Sequence, residues 1–157
     1  MMVADDLTAL DEQVVRLLQL LRSPGYRRVV LRGLPEGVGI GGLRVLRTIE
    51  RLLAAGTLPT VKDIAADRGI EHSSASRAVQ AVVAAGLVSK STCGDDLRKA
   101  RLDLTPAGRD VLAVATRNRR ALLTRITADW PPEDLGRTVA LLARLTDAYA
   151  DRLADDR

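Results

Sequence analysis

The sequence predicts a mainly α-helical protein with one small β-hairpin. Between residues 60 and 105, two short amphipathic segments joined by a glycine turn are followed by two β-prone runs. Phe is absent and aromatic residues make up 2% of the chain, so the core must be built from Leu, Val, Ile and Ala. With 28% charged residues, this composition favours helices packed on helices. A length of 157 residues suits one domain, or one domain with an appendage.

The N-terminal segment, residues 4–22, is predicted to be a helix with apolar residues at heptad-like spacing. Such a stripe packs in the protomer core or in a subunit interface, and the sequence favours neither. Ser23 and Pro24 then suit the cap and the first turn of a short second helix that ends near Arg32. The apolar stripe consists of Leu7, Leu10, Val14, Leu17 and Leu21.

Residues 33–42 contain five glycines and one proline. A glycine-rich loop can cradle phosphate, but this one has no Gly-Lys-Ser/Thr ending and no β-strand leading into it. We therefore expect a flexible connector. A third helix is predicted over residues 43–55, and Gly56 ends it. The dipeptide Leu58-Pro59 is expected to add a minimal third strand to the hairpin described below.

Two short helices joined by a tight turn are predicted between residues 60 and 84. Thr60 and Asp63 form a capping-box pair that begins the first helix, and Gly69 suits the left-handed position that ends it. The second helix begins at Glu71 and ends before Gly86. Its apolar residues can face inward at helical spacing: Ala75, Ala78, Val79, Val82 and Val83.

The opposite side of this second helix has an unusual polar composition, with small hydroxyls, one Arg and one Gln. Small side chains let a helix enter the major groove of DNA, while Arg and Gln can pair with bases or phosphates. Two helices joined in this way form the DNA-binding helix-turn-helix. The alternative is an ordinary helical hairpin with a solvated face. The candidate DNA-binding residues are His72, Ser73, Ser74, Ser76, Arg77 and Gln80.

A basic β-hairpin is predicted after these helices. Residues 87–92 and 98–104 are β-prone runs, and the residues that begin at Cys93 have the composition of a turn. The cations on its flank and near its tip can reach phosphates or a narrow minor groove. They are Lys90, Arg98 and Lys99. A helix-turn-helix followed by such a hairpin is a winged helix-turn-helix.

The chain ends in two further predicted helices. Thr105 caps the first, with Pro106 at its first position, and Trp130 begins the break that separates the two. The first helix carries a basic cluster at residues 117–120, which is a solvated face or a secondary phosphate contact. The last helix has another apolar stripe: Leu135, Val139, Leu142, Leu145 (or Thr146), Tyr149 and Leu153.

The apolar stripes at both ends exceed what a small winged domain can cover. We therefore expect residues 1–32 and 106–157 to form a helical dimerisation region, with a winged helix-turn-helix DNA-binding domain at residues 43–105. In a two-fold dimer the two recognition helices lie roughly 34–36 Å apart, which predicts an inverted-repeat DNA site.

Five motifs follow one another between residues 60 and 108. They are T-V-x-x-I-A from Thr60, S-S-x-S-R from Ser73, A-A-G-L-V from Ala84, the pair Asp96-x-Arg98, and L-T-x-A-G from Leu104. In this order they resemble the winged helix-turn-helix of MarR-family transcriptional regulators, and the flanking helices resemble that family more loosely. Two positions depart from the family's pattern, since Cys93 stands where Asp is frequent and His72 where Arg, Lys or Gln is common.

The resemblance implies a homodimeric, sequence-specific DNA-binding regulator, most often a repressor, that a small aromatic ligand releases from DNA. In this interpretation Lys90 and Lys99 contact phosphates, and Arg98 enters the minor groove, held by Asp96. The alternative function is a winged-helix protein-interaction module with little or no sequence-specific DNA binding. Such a module would bind DNA weakly and without preference.

Two regulatory hypotheses follow. Tyr26, Ile40 and Trp130 are candidates for lining the ligand site, although each is equally well explained as core or loop. Cys93 is a candidate redox sensor because basic neighbours favour the thiolate. An incidental exposed thiol is the alternative.

Catalysis and metal binding have little support in the sequence. The chain has one His and one Cys, and both His72 and Cys93 fall in the predicted DNA-contacting module without any oxyanion-hole signature. We therefore expect neither enzymatic activity nor a cofactor or metal. We also expect a cytoplasmic protein, since no signal peptide or membrane-spanning run is apparent. The net charge of +4 suits an anionic partner.

Overall fold

The computed structural model describes residues 2–92 and 100–155. These residues form a mainly helical fold with one antiparallel hairpin, as predicted. Two compact units are distinguished, Met1–Arg119 and Arg120–Arg157, and the sixth helix crosses the boundary between them. The elements are α1 (Met2–Arg22), α2 (Pro24–Val30), α3 (Ile40–Ala54), α4 (Val61–Arg68), α5 (His72–Ala84), β1 (Val88–Thr92), β2 (Ala100–Leu104), α6 (Pro106–Ile126) and α7 (Pro132–Asp155).

The predicted cap of α2 is present. The Ser23 Oγ accepts a hydrogen bond from the Tyr26 backbone N–H at 3.2 Å, and Pro24 occupies the first helical position. At its other end, α2 is tied to α6 by the Asn118 side chain, whose Nδ2 donates to the carbonyl oxygens of Val30 (3.1 Å) and Arg32 (2.8 Å). This amide satisfies carbonyls that lack partners at a helix C-terminus.

The third helix begins earlier than the sequence indicated, at Ile40 instead of residue 43. The glycine-rich connector is therefore shorter, because Gly41 and Gly42 belong to the first turn of α3. A physical reason lies in packing: a Cβ at Gly42 would stand 3.3 Å from Val82 Cγ1 in α5. Glycine at this position lets α3 approach α5 closely, which the local sequence pattern cannot reveal.

Helix α4 has the predicted boundaries, and α5 begins one residue later than predicted. Thr60 and Asp63 form the reciprocal capping box, with the Thr60 N–H donating to Asp63 Oδ2 at 2.8 Å. Gly69 ends α4 in the left-handed conformation, with φ of 58°. Helix α5 begins at His72 after Glu71, whose side chain makes no capping hydrogen bond. The turn between the helices is thus fixed by backbone geometry.

The core of the first unit lies where α3, α4, α5, the hairpin and the first half of α6 meet. Thr48 is the buried polar residue among these core positions, and its hydroxyl is hydrogen-bonded. Val30 of α2 joins the same cluster. The centre of the core is fully closed to solvent at Val45, Leu46, Ile49, Ile64 and Ala75. Aliphatic packing of this kind is what the composition predicted.

The two strands pair in antiparallel register from Val88↔Leu104 to Thr92↔Ala100. Val88, Leu102 and Leu104 are buried and attach the hairpin to the core. The sheet of the described residues has these two strands and no third. The expectation for Leu58-Pro59 was therefore wrong, since the segment contributes a single hydrogen bond, from Leu102 N–H to the Pro59 carbonyl at 2.8 Å.

Helices α1 and α7 each keep an apolar face exposed. On α1 the exposed large residues include Leu7, Leu10, Leu17 and Leu21, which are four of the five predicted stripe positions. On α7 they include Leu135, Val139, Leu142, Tyr149 and Leu153. Within the described part of the chain, no helix is long and apolar enough to cross a membrane.

Candidate nucleic-acid interface

The exposed face of α5 carries the polar residues that the sequence singled out. The helix buries Ala75, Val79 and Val82. Because successive residues are rotated by about 100°, the opposite side presents Ser73, Arg77 and Gln80. The side chains of His72, Ser73, Arg77 and Gln80 are exposed, and those of Ser74 and Ser76 are half-buried.

Two alanines on the same side of α5 were missed at the level of sequence. Ala81 and Ala84 are exposed, and Ala84 lies three turns after Ser73 on the same line of the helix. They have no polar chemistry, which is why a search for base-reading side chains passes over them. Their small size leaves the C-terminal part of this face, after Gln80, without a bulky side chain, so that a partner can approach the helix backbone closely there.

The electrostatics of this face are positive. No Asp or Glu occurs between His72 and Ala84, and within the described part of the chain the guanidinium of Arg77 makes one weak contact, at 3.5 Å from Ser74 Oγ. A bond of that length lies at the outer limit for hydrogen bonding. The Arg77 side chain is therefore free to donate to an external acceptor.

On the hairpin, Lys90 is exposed and stands opposite Leu102 in the register. Arg101 is also exposed, opposite Ser91, and was not predicted as a contact. Its alternation with Leu102 could have indicated that it faces outward. The predicted wing residues Cys93, Asp96, Arg98 and Lys99 lie outside the described residues, so their roles stay predictions.

The base of the hairpin is locked to the end of α5. The Thr105 hydroxyl donates to the Gly86 carbonyl at 2.7 Å and accepts from the Gly108 N–H at 3.1 Å, while the Thr105 N–H donates to the Leu87 carbonyl. A Cβ at Gly108 would lie 2.1 Å from the Leu87 oxygen. The motifs A-A-G-L-V and L-T-x-A-G therefore interlock, and together they fix the direction in which the hairpin leaves α5.

A cleft of about 240 Å³ lies in the first unit, and we call it the Tyr26 cleft. It brings together two of the three predicted ligand-site residues, Tyr26 and Ile40. Trp130 belongs to the second unit, where it is 43% exposed. The basic residues of this cleft, which include Arg44 and Arg47, were not among the predicted ligand-site residues, because arginines on one side of a helix usually face solvent.

Clusters that could hold a metal ion are absent from the residues that the structure describes. His72 is exposed at the first turn of α5. The exposed face of α5 and the basic residues of the hairpin are suited to contact an extended anionic partner.

A helix-turn-helix with an exposed, acid-free second helix, followed by a hairpin locked to its end, defines the winged helix-turn-helix class of fold. No protein-family model matches the chain, and no curated protein matches it significantly in sequence. Solved structures, in contrast, share its fold over nearly the whole length.

One similar structure is a MarR family transcription regulator, which is 24% identical, with a TM-score of 0.73 over 100% of this chain and 99% of that chain. Staphylococcus aureus MarR, solved with salicylate and kanamycin, is 18% identical, with a TM-score of 0.68 over 96% and 95% of the two chains. Streptococcus pneumoniae FabT, solved in complex with DNA, is 14% identical, with a TM-score of 0.64 over 95% and 96%. The protein has the fold of MarR-family transcription regulators.

Proposed function

We propose that the protein is a transcription regulator of the MarR family that binds double-stranded DNA through the exposed face of α5, and that it is not an enzyme. The observation that carries the proposal is the face itself. It presents Arg77 and Gln80 among serines and alanines, without a carboxylate from His72 to Ala84. Arg and Gln are side chains that read guanine and adenine, and Ser hydroxyls can bind bases or phosphates. The fold shared with a regulator solved on DNA adds support.

The binding form that we propose is a homodimer. The apolar faces of α1 and α7 would lower the solubility of the protein if they stayed exposed to water. A second copy of the chain can cover each of them. Two-fold symmetry then repeats α5 about one DNA turn away, roughly 34–36 Å. The operator that fits is an inverted repeat. Residues 1–32 and 106–157 would act as the dimerisation region, and residues 43–105 as the DNA-binding domain.

We further propose that the regulator is a repressor released by a small aromatic ligand. The Tyr26 cleft offers an aromatic ring and the aliphatic side chain of Ile40 beside basic residues. This combination suits an aromatic acid, and a structural neighbour was solved with salicylate. The wing roles of Asp96, Arg98 and Lys99, and redox sensing by Cys93, belong to the same proposal.

Fluorescence anisotropy tests the DNA-binding function. The labelled probe is the duplex upstream of the protein's own coding region, and the control is a shuffled duplex of equal length and composition, both titrated across a salt series. We expect salt-sensitive binding that prefers the native duplex by about 10³ or more. Equal affinity for the two duplexes argues against specific recognition at that site. Absence of binding to either duplex at low salt would instead support the protein-interaction function.

A further inference from the structure

A second concave surface of the first unit is lined by four arginines, and we call it the arginine groove. Arg44, Arg47 and Arg51 come from one side of α3, at the i, i+3 and i+7 positions that share a helix face. Arg68 comes from the last turn of α4. The groove has a volume of about 450 Å³. Because its arginines come from both α3 and α4, the groove forms only when the fold packs these two helices together.

The positive charge of the arginine groove is poorly compensated. Asp67 is its one carboxylate, and it is already engaged by the Arg51 guanidinium and by the buried hydroxyl of Thr48 at 2.8 Å. Arg47 donates to Thr116 Oγ1 at 3.0 Å, a neutral acceptor that leaves its charge in place. Among the described residues, neither Arg44 nor Arg68 has an acidic partner. Three of the four guanidinium groups thus lack a counter-charge from the residues that the structure describes.

Ordinary structural reasons account for only part of this arrangement. The positive charge of Arg68 at the C-terminus of α4 interacts favourably with the helix dipole, and Arg51 forms an ion pair with Asp67. Arg47 is also tied to Thr116 of α6, and Arg44 and Arg47 line the Tyr26 cleft as well, but none of these contacts gives either arginine a carboxylate partner among the described residues. Bringing like charges together costs free energy, which a bound anion would recover.

We propose that the arginine groove binds a small molecule that carries two or more phosphate groups. Guanidinium forks match phosphate oxygens with paired hydrogen bonds, and three uncompensated charges match a ligand with several negative charges. The volume lies within the range of small-molecule sites. The groove is concave and is built from α3 and the end of α4, whereas the candidate DNA-reading side chains stand on the opposite side of α5 from its buried residues. Its concave shape and limited volume favour a small ligand, and contact with the duplex backbone is the alternative that the experiment below distinguishes.

Isothermal titration calorimetry with pyrophosphate, on the full chain without DNA, tests this proposal independently of the proposed function. We expect one pyrophosphate per chain for the unmodified protein. Arg44→Ala and Arg68→Ala should each weaken binding by about tenfold, and the double variant should abolish it. Arg68→Lys keeps the charge but loses the paired donors of the guanidinium. Its affinity for pyrophosphate should therefore lie between those of Arg68→Ala and the unmodified protein.

Two control variants distinguish binding in the groove from general attraction of pyrophosphate to a basic protein. Arg28→Ala removes one exposed arginine on α2, and Lys62→Ala removes one exposed lysine at the start of α4, both outside the groove; both should keep pyrophosphate binding unchanged. Circular dichroism melting checks that every variant is folded.

Three results would overturn the proposal. The first is no binding of pyrophosphate by the unmodified protein, and the second is equal weakening by Arg28→Ala, which would indicate non-specific attraction. The third is a loss of DNA affinity in the Arg44→Ala, Arg68→Ala double variant without pyrophosphate. That result would make the groove a contact for the DNA backbone. The calorimetry contains no DNA, so it tests the pyrophosphate site even if the protein proves not to bind DNA.

Discussion

At the scale of single residues, Gly108 shows how a sequence motif becomes a packing constraint. It stands so close to the Leu87 carbonyl that no side chain fits, and the atom in the way belongs to the backbone. We expect Gly108→Ala to lower the free energy of unfolding by about 1–3 kcal/mol, because the backbone must shift to relieve the overlap. Thermal or urea unfolding would measure this loss.

The matched control is Gly136→Ala in α7. A Cβ at Gly136 meets nothing within 4 Å, and Ala is favoured over Gly inside a helix by about 1 kcal/mol. This variant should therefore be neutral or slightly more stable. If both substitutions changed stability equally, the close approach of Gly108 to Leu87 would not be the cause.

Arg77 is the residue at which base reading can be tested. We expect Arg77→Ala to weaken operator binding by about 1–3 kcal/mol and to reduce the preference over a shuffled duplex, since a bidentate pair to a base is lost. Anisotropy titrations against both duplexes would measure the two effects. Arg28→Ala is the control for net charge and should leave the preference intact. A uniform loss on both duplexes would assign Arg77 to phosphate contact instead.

At the scale of elements, local chemistry decided what could be predicted. The start of α4, its end at Gly69 and the cap of α2 all depend on residues within four positions of one another, and all were confirmed. The start of α3 was predicted wrongly, because glycines 41 and 42 look like loop unless their packing against α5 is known.

The two candidate sites also differ in how far the sequence could predict them. The face of α5 was predictable because one helix supplies all of its residues, and helical spacing alone separates the polar from the buried positions. The arginine groove could not be predicted, because its walls come from residues 44–51 and 67–70. In sequence, residues 44–51 are part of one predicted helix and residues 67–70 are the end of another, so neither segment indicates a site by itself. Their combination depends on how α3 packs against α4.

At the scale of the whole molecule, the exposed stripes of α1 and α7 lead to a prediction about assembly. We expect light scattering at micromolar concentration to show a dimer. Leu142→Asp should weaken it, because Leu142 lies on the apolar face of α7 and is 48% exposed in the single chain. DNA affinity should fall in parallel, since each half of an inverted repeat would then be bound separately.

Arg144→Asp introduces the same carboxylate on the other side of α7, where the helix is polar, and should leave the dimer intact. A stable monomer in the unmodified protein would contradict the dimer directly. Equal effects of the two substitutions would place the interface elsewhere.

The lock at the base of the hairpin also bears on how such a protein can diverge. Gly86, Leu87, Thr105 and Gly108 hold the two ends of the wing together, whatever amino acids lie between the strands. Lengthening a closed loop is inexpensive, since each doubling costs only about 0.6 kcal/mol. An insertion between the strands would therefore leave this lock and the register of the two strands intact at little cost to stability. A lineage that inherits this frame can vary the segment between its two strands while the rest of the fold stays the same.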